Sequence, residues 1–305
     1  MRTRFPADRG LSSRMLLTMF LLGLLYVAFV AALFAVARSG LFALAIAAGF
    51  LAVQYFASDR IALFAMGGKE VGPEEAPELH GIVDRLCALA DMPKPRVALA
   101  DSDIPNAFAT GRNPAHAVVC ATTGLMRRLD VPEVEAVLAH ELSHVAHRDV
   151  AVMMIASFLG LAAGMVVRFA YYAGLFGGFG GRDDRDGDSN VPVVFVVMLV
   201  SAVVYAVSFL LTRTLSRYRE LSADHGAAVL TGRPSTLASA LVKVSGEMSK
   251  IPDRDLRSAE PLNAFFFAPA LANGFSLSSL FSTHPSLERR LEQLARIEAQ
   301  MGQGV

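Results

Sequence analysis

The stretch HELSH, residues 140–144, contains two histidines and a glutamate with the types and spacing of a metal site. Side chains four residues apart on a helix lie on one face, one turn apart, so His140 and His144 can reach the same ion. Zn²⁺ takes neutral histidine nitrogens at roughly 2.0–2.1 Å, and catalytic zinc sites keep one coordination position open for water. Glu141 can then accept a proton from that water and pass it to a departing amine.

A third ligand is needed, because HExxH arises by chance in roughly one chain of this length in a hundred. The candidate stretch is SRYRELSADHGAA, residues 216–228, in which Glu220 and Asp224 lie one helical turn apart. A carboxylate can complete a site with two histidines. Asp224 can orient a ligand histidine by accepting a hydrogen bond from its other ring nitrogen. Taken alone, however, this stretch is more typical of a solvated helix face with Glu–Arg pairs.

Four apolar runs predict membrane-spanning helices, in agreement with 53% hydrophobic residues and a mean hydropathy of +0.44. They cover residues 15–37, 41–57, 150–167 and 191–212. The first run has no charge over 23 residues, which is roughly 35 Å of helix and enough to cross the hydrocarbon core. It is too long for the core of a signal peptide, and a second run follows at once. Arg168 ends the third run, and we expect its side chain to reach the membrane interface.

The basic residues of the N-terminus set the predicted orientation. The first 14 residues contain four arginines and one aspartate, which indicates a cytoplasmic start. Glu220 follows His144 by 76 residues, and two predicted crossings lie between them. Because two crossings return the chain to the side that it left, both halves of the site are expected in the cytoplasm, close to the membrane surface.

The segments between the apolar runs predict a mainly helical α+β domain. Residues 58–149 contain an amphipathic helix, two strand-like runs and the HELSH helix, which begins after the N-cap Asp130 with Glu133 in a capping box. The apolar face of the first helix consists of Leu79, Ile82, Val83, Leu86 and Leu89. The strand-like runs are residues 95–102 and 115–126, joined through a turn at Gly111, Asn113 and Pro114. Residues 264–280 are interpreted as a partly ordered loop that precedes an amphipathic C-terminal helix.

The predicted domain organisation alternates cytoplasmic and membrane segments. It consists of a cytoplasmic N-terminus (1–14), a transmembrane hairpin (15–57), a first catalytic part (58–149), a second hairpin (150–212) and a second catalytic part (213–305). Zero net charge without a basic stripe argues against a nucleic-acid partner. Cys87 and Cys120 lack a CxxC spacing, so we expect both to be buried free thiols.

Four motifs together resemble the M48 membrane metallopeptidases, specifically the bacterial HtpX-type proteases. They are NAFATG (106–111), HELSH (140–144), SRYRELSAD (216–224) and STHPSLERR (282–290), and the likeness covers residues 10–297. The resemblance implies a gluzincin-like catalytic domain with one Zn²⁺ per chain, held by His140, His144 and Glu220. It implies Glu141 as the general base and Asp224 as the acidic residue one turn after the ligand glutamate.

The resemblance also assigns roles to the first and last of these motifs. The edge strand on which an extended substrate lies corresponds to Asn106, Ala107, Phe108 and Ala109. A histidine and an arginine that stabilise the oxyanion correspond to His284 and Arg290. On the residues alone, His284 is an ordinary turn residue before a helix, and Phe108 is equally typical of a core position.

The implied activity is zinc-dependent cleavage of misfolded or damaged membrane proteins on the cytoplasmic side of the bacterial inner membrane. The implied partners are therefore membrane-protein substrates and the lipid bilayer, and a homo-oligomer remains an open alternative to a monomer. The sequence departs mildly from the family pattern at His147, where asparagine is usual, and at His225, where a small residue is usual.

Three alternative functions are weighed against this one. A CAAX prenyl-protein endopeptidase of the same superfamily is the nearest, although four spans rather than a large multi-helix chamber argue against it. A catalytically idle membrane scaffold would lack Glu141 or a ligand, and all of them are present. A metal transporter would place ionisable groups inside its spans, whereas these spans contain none apart from the marginal Arg168.

Overall fold

The computed structural model describes residues 9–36, 40–149, 152–153, 163–164, 191–248, 267 and 284–302. The chain divides into two compact units. The apolar unit contains Ser13–Gln54 and Val152–Leu215, and the mixed unit contains Met1–Ser12, Tyr55–Ala151 and Ser216–Val305. All the residues that the sequence predicts for the site belong to the mixed unit.

The described elements begin with two long helices, continue with a small sheet interleaved with helices, and end with three further helices. In chain order they are α1 (Arg9–Val36), α2 (Gly40–Ala65), β1 (Gly68–Glu70), α3 (Pro77–Ala90), β2 (Arg96–Ala100), β3 (Ala107–Thr110), β4 (Val118–Thr122), α4 (Thr123–Arg128), α5 (Val131–Ala146), α6 (Val191–Thr231), α7 (Pro234–Met248) and α8 (Leu287–Gly302). A short 3₁₀ helix, Pro114–His116, lies between β3 and β4.

Exposed apolar side chains on α1 and α6 indicate contact with lipid. Leu16 of α1 is 74% exposed and Phe195 of α6 is 65% exposed, together with further leucines and valines on both helices. Contiguous apolar surface of this kind marks an interaction with a membrane or a partner. Within the described part of the chain, two stretches are long and apolar enough to cross a membrane, Arg9–Ala28 and Met198–Thr231. The predicted third run, 150–167, lies almost entirely outside the described residues.

A four-stranded sheet in the order β1-β2-β4-β3 belongs to the mixed unit. β1 is antiparallel to β2, β2 is parallel to β4, and β3 is antiparallel to β4, so β3 is an edge strand. The predicted run 95–102 contains β2, and the predicted run 115–126 is a strand only over β4, because it begins in the 3₁₀ helix and its last residues form the start of α4. The predicted turn connects β3 to β4. At Gly111 φ is 132°, and an added Cβ would lie 2.4 Å from the His116 carbonyl oxygen, so this turn requires glycine.

The core of the mixed unit is built from helix faces that the sequence predicts. The apolar faces of α3 and α5 are buried in one cluster with residues of the sheet and of α7. Leu89, however, is 43% exposed, because the buried stripe of α3 continues from Leu86 to Ala90 and leaves Leu89 on the neighbouring face. Cys87 and Cys120 are buried free thiols, as predicted.

The capping box at the start of α5 extends to α7. Asp130 accepts a hydrogen bond from the Glu133 backbone N–H at 3.1 Å, and Glu133 accepts one from the Asp130 N–H at 3.1 Å. Glu133 also accepts hydrogen bonds from Ser239 and Lys243 of α7, both at 2.7 Å. Burial by itself would raise the pKa of Glu133, but the hydrogen bonds from Lys243 and Ser239 hold this pKa below its ordinary value.

We predict that Glu133→Gln lowers the free energy of unfolding by about 1–2 kcal/mol near neutral pH. A carboxylate with a lowered folded-state pKa stabilises the fold above its unfolded pKa of about 4.3. This stabilisation is lost as the pH falls through the folded value. Thermal unfolding in detergent should therefore separate the two proteins at pH 7, and the separation should shrink steadily as the pH falls below the unfolded value. An undiminished separation at low pH would show that ionisation of Glu133 does not strengthen the contact.

Candidate metal centre

The two histidines of HELSH and Glu220 form a compact triangle. His140 and His144 lie one turn apart on α5, and Glu220 lies on the part of α6 that belongs to the mixed unit. His140 Nε2 is 3.3 Å from His144 Nε2 and 3.5 Å from Glu220 Oε2, and His144 Nε2 is 3.4 Å from Glu220 Oε1. Ligand atoms about 2.1 Å from a tetrahedral ion lie about 3.4 Å apart. Among the described residues, these three form the group whose spacing suits a metal ion.

The charges around the triangle favour a divalent cation. Among the described residues, the corner Glu220, three further buried carboxylates and two buried guanidiniums lie at the triangle: Glu141, Asp149, Asp224, Arg219 and Arg290. When the histidines are neutral, as they are when they bind a metal, this set leaves two negative charges in a buried place, and one divalent cation would neutralise them. The charge of the site and the spacing of its donor atoms therefore agree on one divalent ion.

Glu141 lies beside the triangle and is not one of its corners. Its side chain is 6% exposed, and its Oε2 accepts a hydrogen bond from the Ala109 N–H at 3.0 Å. Burial raises the pKa of Glu141 above its ordinary value, although the neighbouring His140 and His144 oppose the rise. A raised pKa makes a carboxylate a better proton acceptor, so position and basicity both suit a general base.

The edge strand β3 presents backbone groups next to Glu141. The backbone of Asn106 pairs with Thr122 at the end of β4, and the antiparallel register continues from there. By alternation, Ala107 and Ala109 point their backbone groups away from β4. The side chain of Phe108 is 2% exposed and belongs to a small apolar core cluster. The Phe108 side chain therefore lies in the core, and the backbone of the two alanines faces away from β4, where Ala109 is partly exposed and Ala107 is completely buried.

Asn106 anchors a residue that sequence reasoning missed. Asn106 is 1% exposed, and its Oδ1 accepts a hydrogen bond from the Phe267 N–H at 2.8 Å. The Phe267 carbonyl accepts a hydrogen bond from Arg290 Nη1 at 2.8 Å, and the Phe267 ring meets the His140 ring edge-on with 5.2 Å between centroids. Phe267 falls in the stretch interpreted as a partly ordered loop, and it is the last of three consecutive phenylalanines, so no pattern singles it out.

Asp224 and Arg290 support His140. Asp224 Oδ1 is 2.9 Å from His140 Nδ1, the ring nitrogen that does not belong to the triangle. Arg290 donates from Nε and Nη2 to the two carboxylate oxygens of Asp224, at 2.8 and 2.7 Å. A forked pair of this kind fixes the carboxylate, which in turn fixes the orientation of the imidazole.

His284 lies against the third corner of the triangle. Its Nδ1 is 3.0 Å from Glu220 Oε2, and its side chain is buried. Burial by itself would raise the pKa of Glu220, but the charge of His284 and hydrogen bonds from the histidines hold this pKa well below its ordinary value. The structure thus brings the predicted His284 to the site, whereas the hydrogen bonds of Arg290 given above go to Asp224 and Phe267.

Asp149 and Arg219 form a second pair, which supports His144. This pair was not predicted from the sequence. Asp149 Oδ2 is 2.8 Å from His144 Nδ1, and Arg219 Nε is 3.2 Å from the same oxygen. Burial disfavours a charged imidazole, but hydrogen bonds to Asp149 and Glu220 outweigh it and raise the pKa of His144 to about 9. Asp149 follows His144 by five residues, a spacing that does not place two side chains on one face of a regular helix.

The two unusual histidines lie outside the triangle. His147 Nδ1 is 2.8 Å from the Ser143 carbonyl oxygen of its own helix. His225 follows Asp224 on α6 and is not one of the described residues whose spacing suits a metal ion.

Comparison with known proteins finds relatives over nearly the whole chain. The profile described as peptidase family M48 matches residues 73–298. The chain is 59% identical to Protease HtpX homolog 1 of Streptomyces coelicolor over 303 residues, which are 99% of this chain and 98% of that protein. It is 56% identical to the Protease HtpX homolog of Moorella thermoacetica over 301 residues, 99% of each chain. The crystal structure of Ste24p from S. mikatae has a similar fold, with a TM-score of 0.51 and 20% identity over 94% of this chain and 67% of that one.

Proposed function

Because this chain belongs to peptidase family M48 and is an HtpX-type metalloprotease, we propose that it is a membrane-anchored endopeptidase that uses one zinc ion. The observation that carries the proposal is the triangle of His140, His144 and Glu220 with Glu141 beside it. Two imidazoles and one carboxylate are a donor set of catalytic zinc sites, which keep a fourth position for water.

The chain's own residues are proposed to move the proton and stabilise the charge. A divalent ion, when bound, supplies Lewis-acid activation of water and of the scissile carbonyl. Glu141 takes the proton of the attacking water and then donates it to the departing amine, for which a raised pKa is suited. The Ala109 N–H holds the Glu141 carboxylate at 3.0 Å before the proton moves. His284 donates to the developing oxyanion, and Arg290 acts through Asp224.

An extended peptide is proposed to bind along the open edge of β3. Because the Ala109 N–H already donates to Glu141, the Ala109 carbonyl, on the side turned away from β4, is the proposed main-chain partner, and addition of a strand gives affinity without reading particular side chains. Such binding suits misfolded or damaged membrane proteins, because their unfolded segments can adopt the extended form.

The proposed topology has four crossings, with the catalytic parts 58–149 and 213–305 on the cytoplasmic side of the bacterial inner membrane. The apolar stretches in α1 and α6 and the arginine-rich N-terminus support it. We leave the monomer and the homo-oligomer as alternatives, because no contact described above depends on a second copy.

We predict that a cysteine at Asp186, in the proposed outer loop, reacts with a membrane-impermeant maleimide in intact cells. Glu74→Cys is the matched control, because Glu74 is an exposed residue of the mixed unit and should react only after lysis. The native thiols Cys87 and Cys120 are buried and should give little background. The opposite labelling pattern would place the catalytic parts outside the cell.

We predict that removal of metal abolishes peptide hydrolysis and that one equivalent of Zn²⁺ restores it. Mg²⁺ should not restore it, because Mg²⁺ prefers oxygen ligands in octahedral geometry, whereas two of the three donors here are imidazoles. The measurement is cleavage of a loosely folded protein by the full chain in detergent, before and after dialysis against a chelator. Full activity in the metal-free protein would refute the proposed function.

A further inference from the structure

Asp149 and Arg219 are two buried charged residues to which the proposed reaction gives no role. Asp149 is 1% exposed and Arg219 is 9% exposed. Asp149 Oδ2 is 2.8 Å from His144 Nδ1 and 3.2 Å from Arg219 Nε, so the imidazole is its nearer partner. They lie at the second histidine of HELSH as Asp224 and Arg290 lie at the first, although Arg219 contacts one oxygen of Asp149 and its Nη2 is also 3.4 Å from His144 Nδ1.

We propose that Asp149 is the positioning residue of His144 and that Arg219 holds Asp149 in place. A carboxylate that accepts a hydrogen bond from Nδ1 fixes the tautomer and the ring orientation, so that Nε2 is the nitrogen presented to a metal. The inference rests on the proposed function, in which His144 is a metal ligand. Each ligand histidine then has its own aspartate and each aspartate its own arginine.

The position of Arg219 in the chain adds to this assignment. Arg219 immediately precedes the third corner of the triangle, Glu220, on α6. The contact between Arg219 and Asp149 therefore connects the end of the histidine helix to the helix that supplies the carboxylate ligand. A buried carboxylate is costly unless it is paired. Asp149 has two partners, the imidazole of His144 and the guanidinium of Arg219.

A left-handed turn brings Asp149 to the histidine. On a continued regular helix, residue 149 would lie roughly 140° around the axis from His144. Instead α5 ends at Ala146, and Arg148 has φ = 57°, a conformation that residues other than glycine rarely adopt. The Arg148 side chain is exposed, so the structure uses its backbone conformation rather than its side-chain charge.

The test is the affinity of the full chain for Zn²⁺ in detergent, measured by competition with a chromophoric chelator. Asp149→Asn, which keeps the shape but loses the charge, should weaken binding about 10-fold, and Asp149→Ala about 100-fold. In the Co²⁺-loaded protein, the visible absorption bands should change in both variants, because they report the ligand geometry. Asp130→Ala is the matched control, because it removes the N-cap at the far end of α5 and leaves the site untouched.

The outcomes separate this inference from the proposed function. Wild-type affinity in Asp149→Asn, or an equal loss in Asp130→Ala, would overturn the positioning role and leave the metal centre in place. Wild-type affinity in His144→Ala would overturn the metal centre itself.

The left-handed turn gives a second measurement that does not alter the carboxylate. Arg148→Gly should bind Zn²⁺ like the wild type, because glycine adopts this conformation freely. Arg148→Val should weaken binding, because a β-branched residue resists it. Equal affinities in these two variants would show that the turn does not deliver Asp149.

Discussion

Replacing Glu141 with glutamine is expected to lower kcat/KM for peptide hydrolysis by about 10²–10⁴-fold while the metal content stays at the wild-type level. Glutamine has the same size and can still accept the hydrogen bond from the Ala109 N–H, which is 3.0 Å from Glu141 Oε2. It cannot take a proton from water at neutral pH, so the chemical step loses its base. The measurement combines cleavage of a loosely folded protein substrate with metal analysis of the same sample.

Glu135→Gln is the matched control for this prediction. Glu135 lies on the same helix, and its carboxylate pairs with Arg85 at 2.8 Å on the surface. Surface ion pairs contribute little, so activity should be close to that of the wild type. Undiminished cleavage by Glu141→Gln would mean that another group is the base. Loss of the metal in Glu141→Gln would mean that Glu141 also holds the ion.

The histidine pair was predictable because it depends on a single helix. His140 and His144 need only the 3.6-residue period and a capped start, and both can be read from DVPEVEAVLAHELSH. Glu220 needed two further arguments, the even number of predicted crossings and the family resemblance. The family and the protease activity are confirmed by the comparisons, whereas the catalytic roles of the individual residues stay predictions.

The residues that support the ligand histidines were predictable only where their spacing along one helix was enough to identify them. Asp224 follows Glu220 by one helical turn and could be chosen for that reason. Asp149 reaches His144 through a left-handed residue, and Phe267 meets His140 from a stretch without periodicity. Contacts of this kind depend on tertiary structure, and one sequence carries no local pattern for them. Strand β1 was also missed, because three residues, GKE, are too few to show alternation.

Replacing Arg290 with methionine is expected to be strongly destabilising, by about 3–5 kcal/mol. Asp224 is completely buried, and Arg290 donates to both of its carboxylate oxygens. Without the guanidinium, Asp224 keeps a buried negative charge whose remaining described partner is His140. Thermal unfolding of the metal-loaded protein in detergent measures the loss. Arg289→Met is the control, because Arg289 is the exposed neighbour on the same helix, and it should change little.

A double-mutant cycle separates the two roles that Arg290 has been given. If Arg290 acts through Asp224, then Arg290→Met should cost far less stability and activity in an Asp224→Asn background, because the charge that it neutralises is already absent. If Arg290 instead contacts the oxyanion, the loss of kcat caused by Arg290→Met should persist undiminished in that background. The hydrogen bonds from Arg290 to Asp224 and to the Phe267 carbonyl favour the first result. That result would leave His284 as the remaining predicted donor to the oxyanion, because its Nδ1 already lies 3.0 Å from Glu220 at the triangle.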